Sequence, residues 1–204
     1  MRRRILAMII SATISLGIVF NINVYVEDIV QDHSEKPIEG IYGTRSVGQI
    51  FVAHEDGLSG IAVFFATYGR VNTESMIFKL RSGAELETDI VSLVINARSI
   101  RDNQYYGFFF DEIRDSKGKI YYFFLQSPNS TEGNAISAWY SSADVYGEGS
   151  AYVGHKPIAG DLCFKTYCRR ALSDVLKNLY PRILSDKVFF GTYFSSITVI
   201  VLPV

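Results

Sequence analysis

Two cysteines, three histidines and a single tryptophan among 204 residues leave little room for whole classes of chemistry. Two thiols cannot make a disulfide-dense scaffold or a cysteine-rich zinc module. His33, His54 and His155 lie far apart, without the HxH or HxxxH spacing of a metal site. Excess charge is lacking too. Twenty Lys and Arg against 21 Asp and Glu give a net charge of −1, which argues against a dedicated nucleic-acid binder. No GxSxG elbow, HExxH motif or Cys/His pairing occurs. What is abundant is apolar: 48% hydrophobic residues, with 14 Phe and 13 Tyr, exclude intrinsic disorder and require burial in protein or lipid.

The two ends carry long uncharged runs. Arg2, Arg3 and Arg4 precede residues 5–26, which contain no charged side chain. About 20 mostly apolar residues cross a bilayer, so residues 1–26 read as a signal-anchor transmembrane helix. The arginines belong in the cytoplasm and send the rest outward. A cleaved signal peptide is the competing reading, but the run lacks a clean small-x-small site. Residues 169–187 place Leu172, Val175, Leu176 and Leu179 at helical spacing among five basic side chains, a basic amphipathic juxtamembrane helix. Residues 188–204 are uncharged and read either as a second, shortened membrane segment or as a buried terminal strand. The expected location is therefore the cell membrane, in one pass or two, with the intervening domain extracytoplasmic.

That domain spans residues 47–168, after a linker and first strand in residues 27–46. Its short apolar runs (47–53, 58–68, 75–80, 90–95, 105–110, 120–126, 135–140, 150–153 and 162–167) are separated by turn signals such as Asp115-Ser116-Lys117-Gly118. No stretch has the length and period of a helix. The pattern predicts an all-β, antiparallel two-sheet sandwich. Aromatics occupy both parities of 105–110 and 120–124, so the outer faces there are either covered or offered to a partner. Coverage is the simpler expectation. Cys163 and Cys168 sit on opposite faces of one strand and read as apolar fillers.

Several strings carry a family likeness: Val47-Gly48-Gln49-Ile50-Phe51, Leu58-Ser59-Gly60-Ile61, Ile77-Phe78-Lys79-Leu80, Phe108-Phe109-Phe110, Gly133-Asn134-Ala135-Ile136 and Gly160-Asp161-Leu162-Cys163-Phe164-Lys165-Thr166-Tyr167. The order resembles extracytoplasmic jelly-roll domains of the galactose-binding-like and carbohydrate-binding-module kind. One branch occurs at the N-terminus of bacterial and archaeal cell-envelope, glycosyltransferase-like membrane proteins. The resemblance implies a jelly roll that binds glycan or assists envelope polysaccharide assembly, with the membrane and a multi-span membrane protein as further partners. This chain departs from that branch by stopping within its second apolar run.

Catalysis finds little support. The carboxylate pairs Glu55/Asp56, Glu85/Glu87 and Asp111/Glu112 fall in polar, turn-like segments and read as solvated, although a glycosidase would also need two carboxylates. The domain reads as non-catalytic. For sugar binding the candidate is Trp139, which alternation places between Ser137 and Ser141 on one face of its strand. Asp144, Tyr146 and Tyr152 flank the neighbouring Gly147/Gly149 turn and complete the candidate ligand site. The alternative is that Trp139 packs beneath that turn and the domain only docks on a membrane enzyme. No cofactor is expected, beyond a structural calcium that the loop acids Asp56, Asp144 and Asp161 would supply without any DxDxDG run.

Overall fold

A computed structural model describes residues 22–177. Its chain divides into two compact units. The larger, Tyr25–Arg169, is an antiparallel β-sandwich. The described part of the smaller comprises residues 22–24 and 170–177, where the Leu172 N–H donates to the Ile22 carbonyl (2.8 Å) and residues 172–177 are helical.

The strands are β1 (Asn23–Gln31), β2 (Lys36–Pro37), β3 (Ser46–Val52), β4 (Leu58–Ala66), β5 (Ser75–Arg81), β6 (Val91–Asn96), β7 (Gln104–Ile113), β8 (Ile120–Gln126), β9 (Ser137–Ser141), β10 (Ala151–Val153), β11 (Lys156–Pro157), β12 (Asp161–Leu162) and β13 (Phe164–Ala171). A seven-stranded sheet runs β1-β13-β4-β9-β12, with β7 paired to β4 and β2 to β9. The other sheet has six strands in the order β11-β10-β3-β8-β5-β6. Strands cross repeatedly from one sheet to the other along the sequence, so nearly every pairing joins distant segments.

Period-two alternation decides what lies between the sheets. Phe51 of β3, Phe78 of β5 and Phe123 of β8 meet Phe108 of β7 and Phe164 of β13, and all five are fully buried. Phe78 stacks on Phe108 at 4.5 Å, and Phe164 contacts Phe51 and Phe123 at 6.1 and 5.7 Å. Each such side chain contributes roughly 1.5–3 kcal/mol through burial. One polar tie crosses the core. Buried Asp161 accepts from Gln49 Nε2 (2.9 Å) and from the backbone N–H groups of Val145 and Tyr146 (2.9 and 3.1 Å), while Gln49 Oε1 accepts from Leu162 N–H (2.9 Å). Every polar atom of that tie has a partner, which is the condition under which a buried network fixes one arrangement.

The sandwich matches the expected class, and each of the nine expected strands is present, with Leu162 falling in β12. Its limits are wider than expected. Asn23–Val26, read as the end of the membrane helix, opens β1, whose exposure alternates along Asn23–Gln31 as a half-covered strand's does. The absence of charge before Glu27 had merged that strand with the preceding run. At the other end β13 continues to Ala171, so the helix starts at residue 172 rather than 169. Among the described residues no helix is long and apolar enough to cross a membrane; the rest of the expected segments 1–26 and 169–187, and all of 188–204, lie outside them.

Candidate functional site: an open aromatic face and its cleft

The outer face of the seven-stranded sheet is built on small residues. Pairing sets Gly60 opposite Phe109, Ala62 opposite Gly107 and Phe64 opposite Tyr105, while Lys165 and Tyr167 of β13 flank Ala62 and Gly60 from the other side. The Phe109 ring lies down on both glycines. A Cβ added at either Gly60 or Gly107 would stand 2.6 Å from it. Held on this floor, Phe109 remains 46% exposed, and Tyr25, 52% exposed, leans on it at 4.7 Å. Tyr167 touches its other side at 5.6 Å.

A second row continues across the same face. Tyr105 meets Phe64 at 4.9 Å, and Phe64 meets Trp139 at 5.9 Å. Trp139 is half-buried, and its Nε1–H donates to Asn103 Oδ1 (2.9 Å). Between the rows, Lys165 Nζ lies 5.1 Å above the Tyr105 ring and 2.8 Å from Glu27 Oε1. The hydrogen bond to Glu27 raises the Lys165 pKa above its ordinary value. Tyr105 shares a contact of 3.1 Å with Cys163 Sγ, and burial, followed by that contact, pushes its phenol well above the usual range. Both cysteines are buried and unbonded to each other.

At one end the face folds into a cleft because β7 is bulged. Leu58 pairs with Ile113 and Gly60 with Phe109, so Phe110, Asp111 and Glu112 together oppose Ser59 alone. Extra residues bend a strand and re-aim its side chains. Gly57, at φ +85°, donates its N–H to the Ile113 and Arg114 carbonyls (3.2 and 3.1 Å) and accepts from Arg169 N–H (2.8 Å), which draws Arg169 to the same place. The resulting cleft of about 680 Å³ has apolar walls that include Tyr25, Phe109 and Leu93, with Asp111, Glu112 and Arg169 at its polar rim. Among the described residues, these three charged side chains make no hydrogen bond or ion pair with protein.

The outer face of the six-stranded sheet has the same ingredients but is closed. Gly48 again leaves space for a ring, here that of Tyr122, which stacks on Phe124 at 5.2 Å; Tyr152 joins Tyr122 at 5.0 Å. Yet Tyr122 and Phe124 are buried and Tyr152 nearly so. Arg81 lies 4.7 Å over the Phe124 ring, and His155 packs against it at 5.1 Å. Asp89, from the β5–β6 connection, holds the cover in place through Lys79 (2.6 Å) and Arg81 (2.5 Å). Burial opposes the Asp89 carboxylate, but the hydrogen bonds from Lys79 and Arg81 outweigh it and keep its pKa below the ordinary value.

The four residues expected to form one ligand site are thus divided. Trp139 stands on the open face and Tyr152 on the covered one. Tyr146 points between the sheets, edge-on to Phe164 at 5.4 Å, with its hydroxyl donating to the Val52 carbonyl (3.2 Å) and accepting from Val52 N–H (3.1 Å). Burial pushes its pKa up to about 12. Asp144 accepts from Gly147 N–H (2.9 Å) at an exposed turn. Of the loop acids considered for calcium, Asp56 accepts from Lys117 N–H (2.9 Å), and Asp161, which reaches the backbone beside Asp144, is committed to the core tie. Among the described residues, no three acidic, His or Cys side chains are grouped to hold a metal ion.

Sequence reasoning missed Tyr25, Phe109 and Arg169. Tyr25 fell within the apolar run assigned to the membrane. Phe109 did leave a signal, since aromatics on both parities of β7 require a ring on the outer face. The carboxylates of Asp111 and Glu112 were noticed, but their aim depends on a bulge that spacing does not show.

No protein-family model and no curated protein matches the chain. Among solved structures, it is similar to one described as "Carbohydrate-Binding Module CBM36 in complex with calcium and xylotriose", at 9% identity and a TM-score of 0.30, over 64% of this chain and 98% of that one. That superposition is too loose to bear on the site.

Proposed function

We propose that this protein is a non-catalytic glycan-binding sandwich of the jelly-roll kind, tethered at the membrane and facing the cell envelope. The observation that carries the reading is the Phe109 ring lying flat and half-exposed on Gly60 and Gly107 beside the cleft rimmed by Asp111, Glu112 and Arg169. A flat aromatic surface stacks on the apolar face of a pyranose, and unpartnered carboxylate and guanidinium groups at its edge supply acceptors and donors for hydroxyls. The half-exposed Trp139 extends the strip. The arginine cluster and apolar run at the N-terminus support the tether and the outward orientation.

The chain's sole tryptophan makes the test direct. The full chain, in mild detergent, would be titrated with neutral and charged envelope polysaccharides while Trp139 emission and retention on immobilised glycan are followed. Saturable binding that weakens at least about tenfold in Phe109→Ala, an energetic change of about 1.4 kcal/mol, is the expected result. Indifference to every glycan would overturn the reading and leave the face as a protein-docking surface. Hydrolysis of a bound glycan, lost in Glu112→Gln, would show that the cleft carboxylates are catalytic.

A further inference from the structure

A free sheet edge is a template for another strand, and folded proteins guard such edges with lysine, proline, short length or bulges. Among the described residues, nearly every edge of this sandwich is guarded in one of those ways. The outermost strand on one side of the six-stranded sheet is β11, only Lys156–Pro157. In the seven-stranded sheet β2 is Lys36–Pro37, β12 has two residues, β1 carries Glu27 and Asp28, and β7 is broken by its bulge beside Asp111 and Glu112.

The exception is β6, Val91–Asn96, at the remaining edge of the six-stranded sheet. Its sequence, Val-Ser-Leu-Val-Ile-Asn, has no charge, proline or glycine, and it pairs with β5 over its whole length without a bulge. Val94 is 67% exposed. A six-residue segment of high β-propensity and no charge is the composition that most readily recruits a further strand.

We propose that β6 pairs with β6 of a second copy of this chain, antiparallel about a two-fold axis. Three observations select that occupant. Because β11 closes the opposite edge of the same sheet, sheets cannot add head to tail; a β6–β6 contact is isologous and stops at two. A strand without charge does not repel its own copy. Antiparallel self-pairing also sets like faces together: Ser92, Val94 and Asn96, all exposed, on one side and the half-buried Val91, Leu93 and Ile95 on the other.

Sedimentation of the full chain in density-matched detergent, across a concentration series reaching about 100 μM, tests this. A monomer–dimer equilibrium is expected, with Val94→Lys raising the dimer dissociation constant at least about tenfold. Cysteines placed singly at Ser92, Val94 and Asn96 should give a covalent dimer on oxidation at the position nearest the axis, since a disulfide needs Cα atoms about 4.4–6.8 Å apart. This second measurement decides the matter if the lysine variant fails to fold. A chain that stays monomeric throughout, or a dimer that Val94→Lys and the cysteine series leave untouched, would overturn the proposal. Val94 lies on the side of β6 away from Leu93 and the cleft, and glycan retention is measured on Val94→Lys alongside sedimentation, so loss of the dimer and loss of binding are read separately.

Discussion

The two outer faces of this sandwich start from the same design and end in different states. On each, glycine makes room for an aromatic ring: Gly48 beside Tyr122, Gly60 and Gly107 under Phe109. On the six-stranded sheet a lid of Arg81, Lys79, Asp89 and His155 then closes over the rings. On the seven-stranded sheet the comparable pair, Lys165 with Glu27, covers only Tyr105, and Phe109 and Tyr25 stay half-exposed. A covered ring contributes to stability by leaving water, whereas an uncovered one held flat is available to a ligand. The difference lies in what surrounds the rings rather than in the rings themselves.

Deleting one ring from each face separates the two states most clearly. Phe124→Ala, in the closed cluster, should cost about 3–5 kcal/mol in denaturant unfolding, the usual range for a buried phenylalanine. Phe109→Ala should cost about 1 kcal/mol, because half of the ring is already in water, yet it should abolish most glycan retention. Equal stability losses would mean that the open face is packed as the closed one is.

Gly107→Ala probes the floor. The added methyl meets the Phe109 ring and forces it off the sheet, so a loss of about 1–3 kcal/mol is expected together with weakened glycan retention. On the closed face, Asp89→Asn removes the charge that bridges Lys79 and Arg81 and should cost about 1–2 kcal/mol at neutral pH. The pH dependence follows from the lowered Asp89 pKa. Its contribution is fully present above the ordinary value of 3.8 and is lost as pH falls below it through the folded value. Wild type and variant should therefore converge in acid, as unfolding measured from pH 7 down to about pH 2 would show. The smallest effect belongs to the open face: Glu27→Gln breaks a partly exposed pair with Lys165 and should change stability by less than about 1 kcal/mol.

Much of the fold was legible because alternation speaks plainly in strands such as Ser75–Arg81, and an apolar run bounded by turn residues does so in Ile120–Gln126. What stayed hidden was local. Asn23–Gln31 begins inside an uncharged run, where a strand and a membrane helix look alike until Glu27. Lys36–Pro37 and Lys156–Pro157 are too short for any period. The candidate site was legible in one residue, Trp139, whose placement on an outer face followed from parity. Tyr146 and Tyr152 are near it in sequence, but chain crossings carry one between the sheets and the other to the opposite face. The cleft depends on a register shift between β4 and β7, which arises from pairing at long range.

The claim that the faces differ in access, and that glycan occupies the open one, can be tested by hydroxyl-radical labelling of the full chain with and without a retained polysaccharide, read residue by residue by mass spectrometry. The expected result is rapid labelling of Phe109 and Tyr25 that the polysaccharide suppresses, with Tyr122 and Phe124 slow in both states. Labelling of Tyr122 and Phe124 as fast as Phe109, or a polysaccharide that protects neither Phe109 nor Tyr25, would contradict it.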